Sequence, residues 1–452
     1  MDTVILHRRL EVTEKMMTRS LKFFITLFLM TGVLMASSLP KYYTKTLENG
    51  LEIVAIPMNN NSGVITSDIY YKVGSKDEVM GNSGMAHMLE HLSFKSTKNL
   101  KEGEFDEIVK ANGSNNNAAT GFDYTHYYIH SAAKNLSTNL ELLAELMSNL
   151  SLKDEEFQRE RDVVAEERRL RTDNPPMGYL FFRLFNIHYT YHSYHWTPIG
   201  FMDDILNWKI EDIRSFYERY YAPNNAILIV AGDIDKELVF KEAQKHFGDK
   251  KPSKIVRNHM KEPKVDGSKR AILQKEGNNL DMLAIAYPLP NFEHDDQVAL
   301  SAITEIISSG KSSRLYKKLV DDKNMVNQVY GYNMELKESG VFLFFAVCNP
   351  GIKAEDVEKE ILDEIKAIKE GVITQEELDK VKVNTKADFL HSLERSSRVT
   401  TLFGSYFVKG NINPLLEYED KLDKITRKDI TTIANRYFDN NISTTLILRS
   451  SK

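Results

Sequence analysis

The chain has 452 residues, 42% of them hydrophobic and 27% charged, with a formal charge of −5 from 59 basic and 64 acidic side chains. This balance excludes collagen-like, low-complexity and globally disordered chains, and leaves no basic surplus of the kind that coats nucleic acid. The single cysteine, Cys348, excludes an intramolecular disulfide framework and any Cys-rich metal knuckle, so a bound metal would need histidines and carboxylates.

Residues 1–38 read as a secretory signal peptide: a basic stretch ending at Lys22, the apolar run Phe23 to Met35, then the small residues Ala36-Ser37-Ser38. The run is short for a bilayer span and no other segment is long and apolar enough. The expectation is a soluble exported protein, best placed in a bacterial periplasm. Alternating residues predict half-buried strands over Thr44 to Ile56 and Val64 to Val73, turning at Asn59 to Gly63. Helical patterns follow at Ser83 to Phe94, Phe105 to Ala111, Ala133 to Leu150 and Asp154 to Leu170. Ile210 to Tyr220 is an amphipathic helix that runs through Ala222-Pro-Asn-Asn225 into the apolar strand Ala226 to Ala231.

The polar stretch 249–268, with Pro252, Pro263 and Gly267, is read as a linker. Beyond it the plan repeats. Ala271 to Gln274 and Met282 to Tyr287 predict strands, and Asp295 to Ser308 and Ala354 to Glu370 predict helices. The helix Arg427 to Tyr437 then leads to the strand Thr444 to Leu448. Asp212-Ile213 and Asp429-Ile430 stand 217 residues apart, as do Arg219-Tyr220 and Arg436-Tyr437, and Asn224 and Asn441. A helix, turn and strand matched in one register predict an internal duplication at domain scale. The fold class is therefore α+β, with two homologous halves, 39–248 and 269–452, each a mixed sheet with helices on one face.

Chemistry concentrates at Ser83-Gly-Met-Ala-His87-Met-Leu-Glu90-His91-Leu-Ser-Phe94. On a helix His87 and His91 stand one turn apart on one face with Glu90 beside them. Two imidazoles so placed can hold one zinc ion at about 2.0–2.1 Å, and the carboxylate can take a proton from an attacking water. His-x-x-Glu-His is the inverted order of the thermolysin-type motif. A catalytic site needs a third protein ligand. The second strong helix, Glu155 to Leu170, offers Glu160 and Glu167, two turns apart on one face, with Val163 and Val164 between them on the apolar side. Glu166 points about 100° away and reads as solvent or salt-bridge material.

His87 to His91, preceded by Gly74-Ser75 and Glu78 and followed by Phe94-Lys-Ser-Thr97, resembles the pitrilysin or insulinase family of zinc peptidases. Glu160-Arg-Asp-Val-Val-Ala-Glu-Glu167 is similar to that family's second helix, and Pro198-Ile-Gly200 and Tyr221 to Asn225 fit as well. The resemblance implies clam-like paired α+β halves, peptide-bond hydrolysis, and Zn2+ held by His87, His91 and Glu167, with Glu90 as the proton acceptor. It places Glu160 behind the ligands. It reads Asn117-Ala118-Ala119 as part of the edge strand whose asparagine supports a zinc histidine and whose backbone pairs with substrate.

The second half departs from the first. Thr304 and Ser308 stand where the histidines would fall, so no zinc site is expected there. The Arg/Tyr pair that the family carries in its non-catalytic half is replaced by Val320 and Asn327, while Tyr330 and Tyr332 read as strand aromatics. Because each oxyanion donor is worth about 10²–10³ in rate, the expected protein is the zinc-bearing subunit of a heterodimer with a homologous non-zinc partner, or else a homodimer. The alternative is a non-catalytic peptide-binding or structural subunit. His188, His192 and His195 read as a packed aromatic loop, His126 and His130 as ordinary strand residues, and Cys348 as a core residue.

Overall fold

The computed structural model describes residues 38–257 and 260–451. Residues 1–37, and with them the expected signal peptide, lie outside this range. Among the described residues no helix is long and apolar enough to cross a membrane.

The predicted strand over Thr44 to Ile56 is two strands. β1 (Tyr43–Thr46) and β2 (Glu52–Pro57) fold into an antiparallel pair with Tyr43 opposite Ala55. Gly50 makes the turn at φ +89°, and a Cβ there would stand 2.8 Å from the Asn224 Cβ. Only glycine meets both demands. β3 (Val64–Tyr71) follows, then α1 (Met85–Ser93), α2 (Glu104–Ala111), the hairpin β4 (Asn115–Thr120) and β5 (Thr125–Ala132), α3 (Leu136–Ser148) and α4 (Asp154–Arg168). The chain continues through α5 (Pro176–His188), α6 (Ile210–Tyr220), β6 (Ala226–Gly232) and α7 (Lys236–Phe247).

No helix or strand occupies the described residues between 250 and 268. The second half runs β7 (Lys269–Gln274), β8 (Met282–Leu289), α8 (Gln297–Ile307), β9 (Val326–Met334), β10 (Gly340–Cys348), α9 (Ala354–Lys369), α10 (Gln375–Ser392), α11 (Ser396–Phe407), α12 (Arg427–Tyr437) and β11 (Thr444–Arg449), with shorter helical segments between. The first sheet has the order β1-β2-β6-β3-β5-β4 and the second β7-β11-β8-β10-β9. With β1 set aside the two correspond strand for strand. Each contains one parallel pair, β2 with β6 and β7 with β11. The duplication legible in the sequence is thus a duplication of topology.

Each half lays its own helices on one face of its sheet. On the first sheet Ile53, Ile65, Ile69, Tyr127 and Leu228 meet Met88, Leu89 and Leu92 of α1 and Leu140 and Leu143 of α3. The opposite faces receive a helix from the other half. Leu180, Leu184 and Phe185 of α5 cover Ala284, Leu343, Phe345 and Leu446 of the second sheet. Val399 and Phe403 of α11 cover Val54, Tyr70, Ile227 and Ile229 of the first. Both faces of each sheet thereby lose apolar surface to water, and this burial does most to hold the halves together.

The exchange buries His188 at the end of α5, where its Nδ1 lies 3.0 Å from the Thr444 hydroxyl. Burial, and the Lys269 ammonium after it, push the ring down to about 4. A histidine in the unfolded chain takes a proton near 6.5, so below that pH the unfolded state binds a proton that the native state refuses. Stability is expected to fall as pH drops from about 6.5 toward 4, by at most about 3 kcal/mol from this group. Urea midpoints at pH 7.5 and pH 5 should show a smaller acid loss for His188→Leu than for the parent; equal losses would refute the assignment.

Candidate metal centre

The helix bearing the two histidines is anchored at its start. Gly84 opens α1 at φ +88°, and a Cβ there would lie 2.7 Å from the Ile199 carbonyl and 2.8 Å from the Trp208 ring. The buried Glu78 carboxylate accepts the Gly84 N–H at 2.7 Å, the Ala86 N–H at 2.8 Å and the Trp196 indole N–H at 2.8 Å. A carboxylate at this end satisfies unpaired amides and opposes the helix dipole. Burial pushes it up to about 8, against the pull of those three donors.

One turn apart on α1, the His87 and His91 rings are edge to face with centroids 4.7 Å apart. The first turns of α4 hold Glu160, and its last turn holds Glu167. The His91 Nδ1 lies 2.8 Å from Glu160 Oε1, and Lys95 steadies the same carboxylate at 2.8 Å. This bond directs the His91 Nε2 inward, 3.1 Å from Glu167 Oε2, while the His87 Nε2 is 3.7 Å from that oxygen. Among the described residues His87, His91 and Glu167 form the one cluster of potential ligand atoms, all within 4.8 Å of one another. Ligand atoms on a tetrahedral zinc with bonds of about 2.0–2.1 Å stand about 3.3 Å apart. The set fits that ion in spacing and in donor chemistry.

The titration of the two rings fits as well. Burial and the neighbouring His91 charge push His87 down to about 4. Burial opposes protonation of His91 too, but its bonds to Glu160 and Glu167 lift it to about 9. The His91 proton therefore occupies the point where a divalent cation would satisfy the same oxygen. Glu160 is buried and Glu167 half-buried on α4, but the stripe differs from the sequence reading. Phe157, Glu160, Val164 and Arg168 face inward, while Val163 is 50% exposed. The inward arc runs through Phe157, Glu160, Val164, Ala165 and Arg168, and at 100° per residue Val163 falls on its outer side. Glu166 is exposed and pairs with Arg169.

Glu90 is half-buried, and burial raises its carboxyl above the usual range. The Thr120 hydroxyl at the end of β4 donates to its Oε2. Thr120 escaped the sequence reading because only strand pairing brings it beneath α1. Among the described residues β4 pairs with β5 alone, so its other edge is left open. Asn117, Ala118 and Ala119 lie along it, alternating between exposed and half-buried. The support expected from Asn117 is not made. Its Oδ1 accepts the Ala118 N–H at 2.9 Å, and among the described residues the buried His87 Nδ1 has no hydrogen-bond partner.

Glu167 has a further neighbour, Arg171, whose Nη1 lies 2.8 Å from Oε1. It stands in the π-helical turn Arg169–Asp173 that ends α4. In the second half Thr304 donates to the Leu300 carbonyl and Ser308 to those of Thr304 and Gly331, both on α8 or at its end. Val320 is half-buried, and Asn327 is exposed at the start of the free edge strand β9. Tyr330 and Tyr332 are exposed on β9. The other histidines singled out in the sequence are individually satisfied: His126 by Asp68 at 3.1 Å, His130 by Thr66 at 2.9 Å, His192 by the Tyr194 N–H and His195 by the Tyr189 carbonyl.

Residues 53–190 match the insulinase family (peptidase family M16), and residues 207–384 match the peptidase M16 inactive domain. The zinc protease PqqE of Helicobacter pylori is 50% identical over 416 residues, covering 91% of this chain and 94% of its own. This chain belongs to the insulinase family. A crystal structure of a protease from Helicobacter pylori superposes with a TM-score of 0.90 at 51% identity, covering 91% of this chain and all of that one. The periplasmic protease PqqL of Escherichia coli shares the fold, with a TM-score of 0.75 at 20% identity, and this chain corresponds to 48% of its length. The insulinase-family match places α1, β4 and α4 in the peptidase segment and most of the second sheet in the segment described as inactive. The chain is a peptidase, and its relatives' names associate the family with zinc.

Proposed function

We propose that this chain is a zinc-dependent endopeptidase acting on extended peptides or unstructured segments, with the ion held by His87, His91 and Glu167. The observation that carries this reading is the convergence of three ligand atoms from α1 and α4 within 4.8 Å, beside the half-buried Glu90, which is not part of the set. When bound, zinc supplies a Lewis acid that polarises a peptide carbonyl and makes water easier to deprotonate. Glu90 accepts the proton of the attacking water and returns one to the departing amine. The Thr120 hydroxyl holds Oε2 and so leaves Oε1 as the proton-carrying oxygen. Glu160 fixes the tautomer and direction of His91. A substrate strand adds to the free edge of β4 over Asn117 to Ala119 through backbone hydrogen bonds, which tolerate many side chains. A subunit that only bound peptides would have no use for the Glu90–Thr120 pair.

Val320 and Asn327, in place of an Arg/Tyr pair, favour a further point: catalysis is completed by a homologous partner lacking zinc. The correspondence of this chain to about half of PqqL is consistent with a working unit built from two such chains. The basic and apolar run before residue 38 supports export, with the periplasm as the working compartment. The purified chain should bind zinc yet cleave an unstructured fluorogenic peptide slowly, and addition of its partner should raise the rate by about 10²–10³-fold. Full activity of the chain alone would remove the heteromer, and absence of bound zinc would remove the metallopeptidase reading.

A further inference from the structure

A cavity of about 600 Å³, bordered by many charged side chains, has no part in the site above. It lies where the two halves meet. Its walls are the turn after β3 with Lys76 and Asp77, the His192-Ser193 turn, the connecting segment at Arg257 and Glu262, and the β9–β10 turn with Lys337. Its volume falls within the range of small-molecule sites.

The charge around it is unbalanced. Among the described residues five cationic side chains border it against three carboxylates; Lys72 is paired with Glu52 at 2.5 Å, and two of the three carboxylates are already engaged. Glu262 accepts the backbone N–H groups of Thr190, Tyr191 and His192 at 2.6, 2.9 and 2.8 Å. Asp77 accepts the Arg257 Nε–H at 3.0 Å and the Gly74 N–H at 3.1 Å, with the Lys76 ammonium 3.4 Å away. Lys76 is itself only 8% exposed. Lys337 has neither an ion pair nor a side-chain hydrogen bond among the described residues; burial, then Lys76 and Arg257, hold its ammonium below the usual lysine range. His192 adds a neutral donor. Its Nδ1 accepts the Tyr194 N–H at 3.1 Å, so the ring proton sits on Nε2.

Like charges gathered in a partly desolvated space repel unless an anion joins them. We propose that this cavity is a binding site for a small oxyanion of the phosphate or dicarboxylate class, held by Lys76, Arg257, the His192 ring and Lys337. Three of these groups come from the first half and the connecting segment and one from the second. The ligand therefore bridges the halves and stabilises their junction.

The test uses the intact chain, titrated separately with inorganic phosphate and with succinate at an ionic strength held constant with sodium chloride. Thermal unfolding and calorimetry are the readouts. At least one anion should give a saturable rise in Tm; which of them does so identifies the source of the chemistry. Binding should be unchanged in Glu167→Gln and weakened by at least about tenfold in Lys337→Met. Without anion, Lys337→Met should unfold no earlier than the parent, because a like charge has been removed. Lys76→Met should show the same loss of anion binding and serves if the first variant does not fold. Absence of saturable binding by either anion, or equal binding by parent and variants, would overturn the proposal.

Discussion

Glu90→Gln is expected to retain its full zinc content and to lose peptide hydrolysis by about 10²–10⁴-fold, the contribution of a positioned general base. The substitution keeps the shape of the side chain and leaves an oxygen to accept the Thr120 hydroxyl, so the packing beneath α1 stays as it is. What disappears is the ability to accept a proton. Elemental analysis of the purified variant beside a fluorogenic peptide assay separates the two effects. Loss of zinc would make Glu90 a ligand, and undiminished hydrolysis would remove it from the chemistry.

Glu167→Gln should act on the metal first. Its Oε2 is the oxygen on which both rings converge, at 3.1 and 3.7 Å, and an amide oxygen is a weaker donor to zinc than a carboxylate. Zinc affinity is expected to fall by at least about 100-fold, with activity following occupancy, whereas Glu160→Gln, which disturbs only the orientation of His91, should cost about 10–100-fold. Competition with a chromogenic chelator measures both. Neither change should unfold the protein, because α1 is pinned by Glu78 and α4 by Phe157 and Val164, away from the ligand atoms. Equal affinities in parent and Glu167→Gln would place the third ligand elsewhere.

The local parts of this protein were legible because they are written in short periods. Spacing alone puts His87, Glu90 and His91 on one turn of helix, and the repeated helix and strand at Ile210 and Arg427 reveal the duplication. Residues that meet only through the sheet were not. Thr120 reaches Glu90 because β4 pairs with β5 and passes under α1, and no one-dimensional pattern encodes that. For Asn117 the resemblance supplied a role, while in this structure its carboxamide oxygen accepts the neighbouring Ala118 amide. The hairpin at Gly50 was hidden inside what reads as one alternating strand. The helices α5 and α11 were missed because they serve the sheet of the opposite half, so their apolar residues are matched to partners far away in sequence.

That reciprocal arrangement has a consequence for biogenesis. When β6 leaves the ribosome the first sheet can pair its strands, yet Val54, Ile56, Ile227 and Ile229 stay bare until Val399 and Phe403 have been made. Roughly 170 further residues at about 5–20 per second leave that greasy surface uncovered for about 9 to 34 seconds. The nascent chain should therefore be a client for a holding chaperone throughout that interval, and translation arrested at residue 250 should yield an aggregating fragment rather than a working half-enzyme.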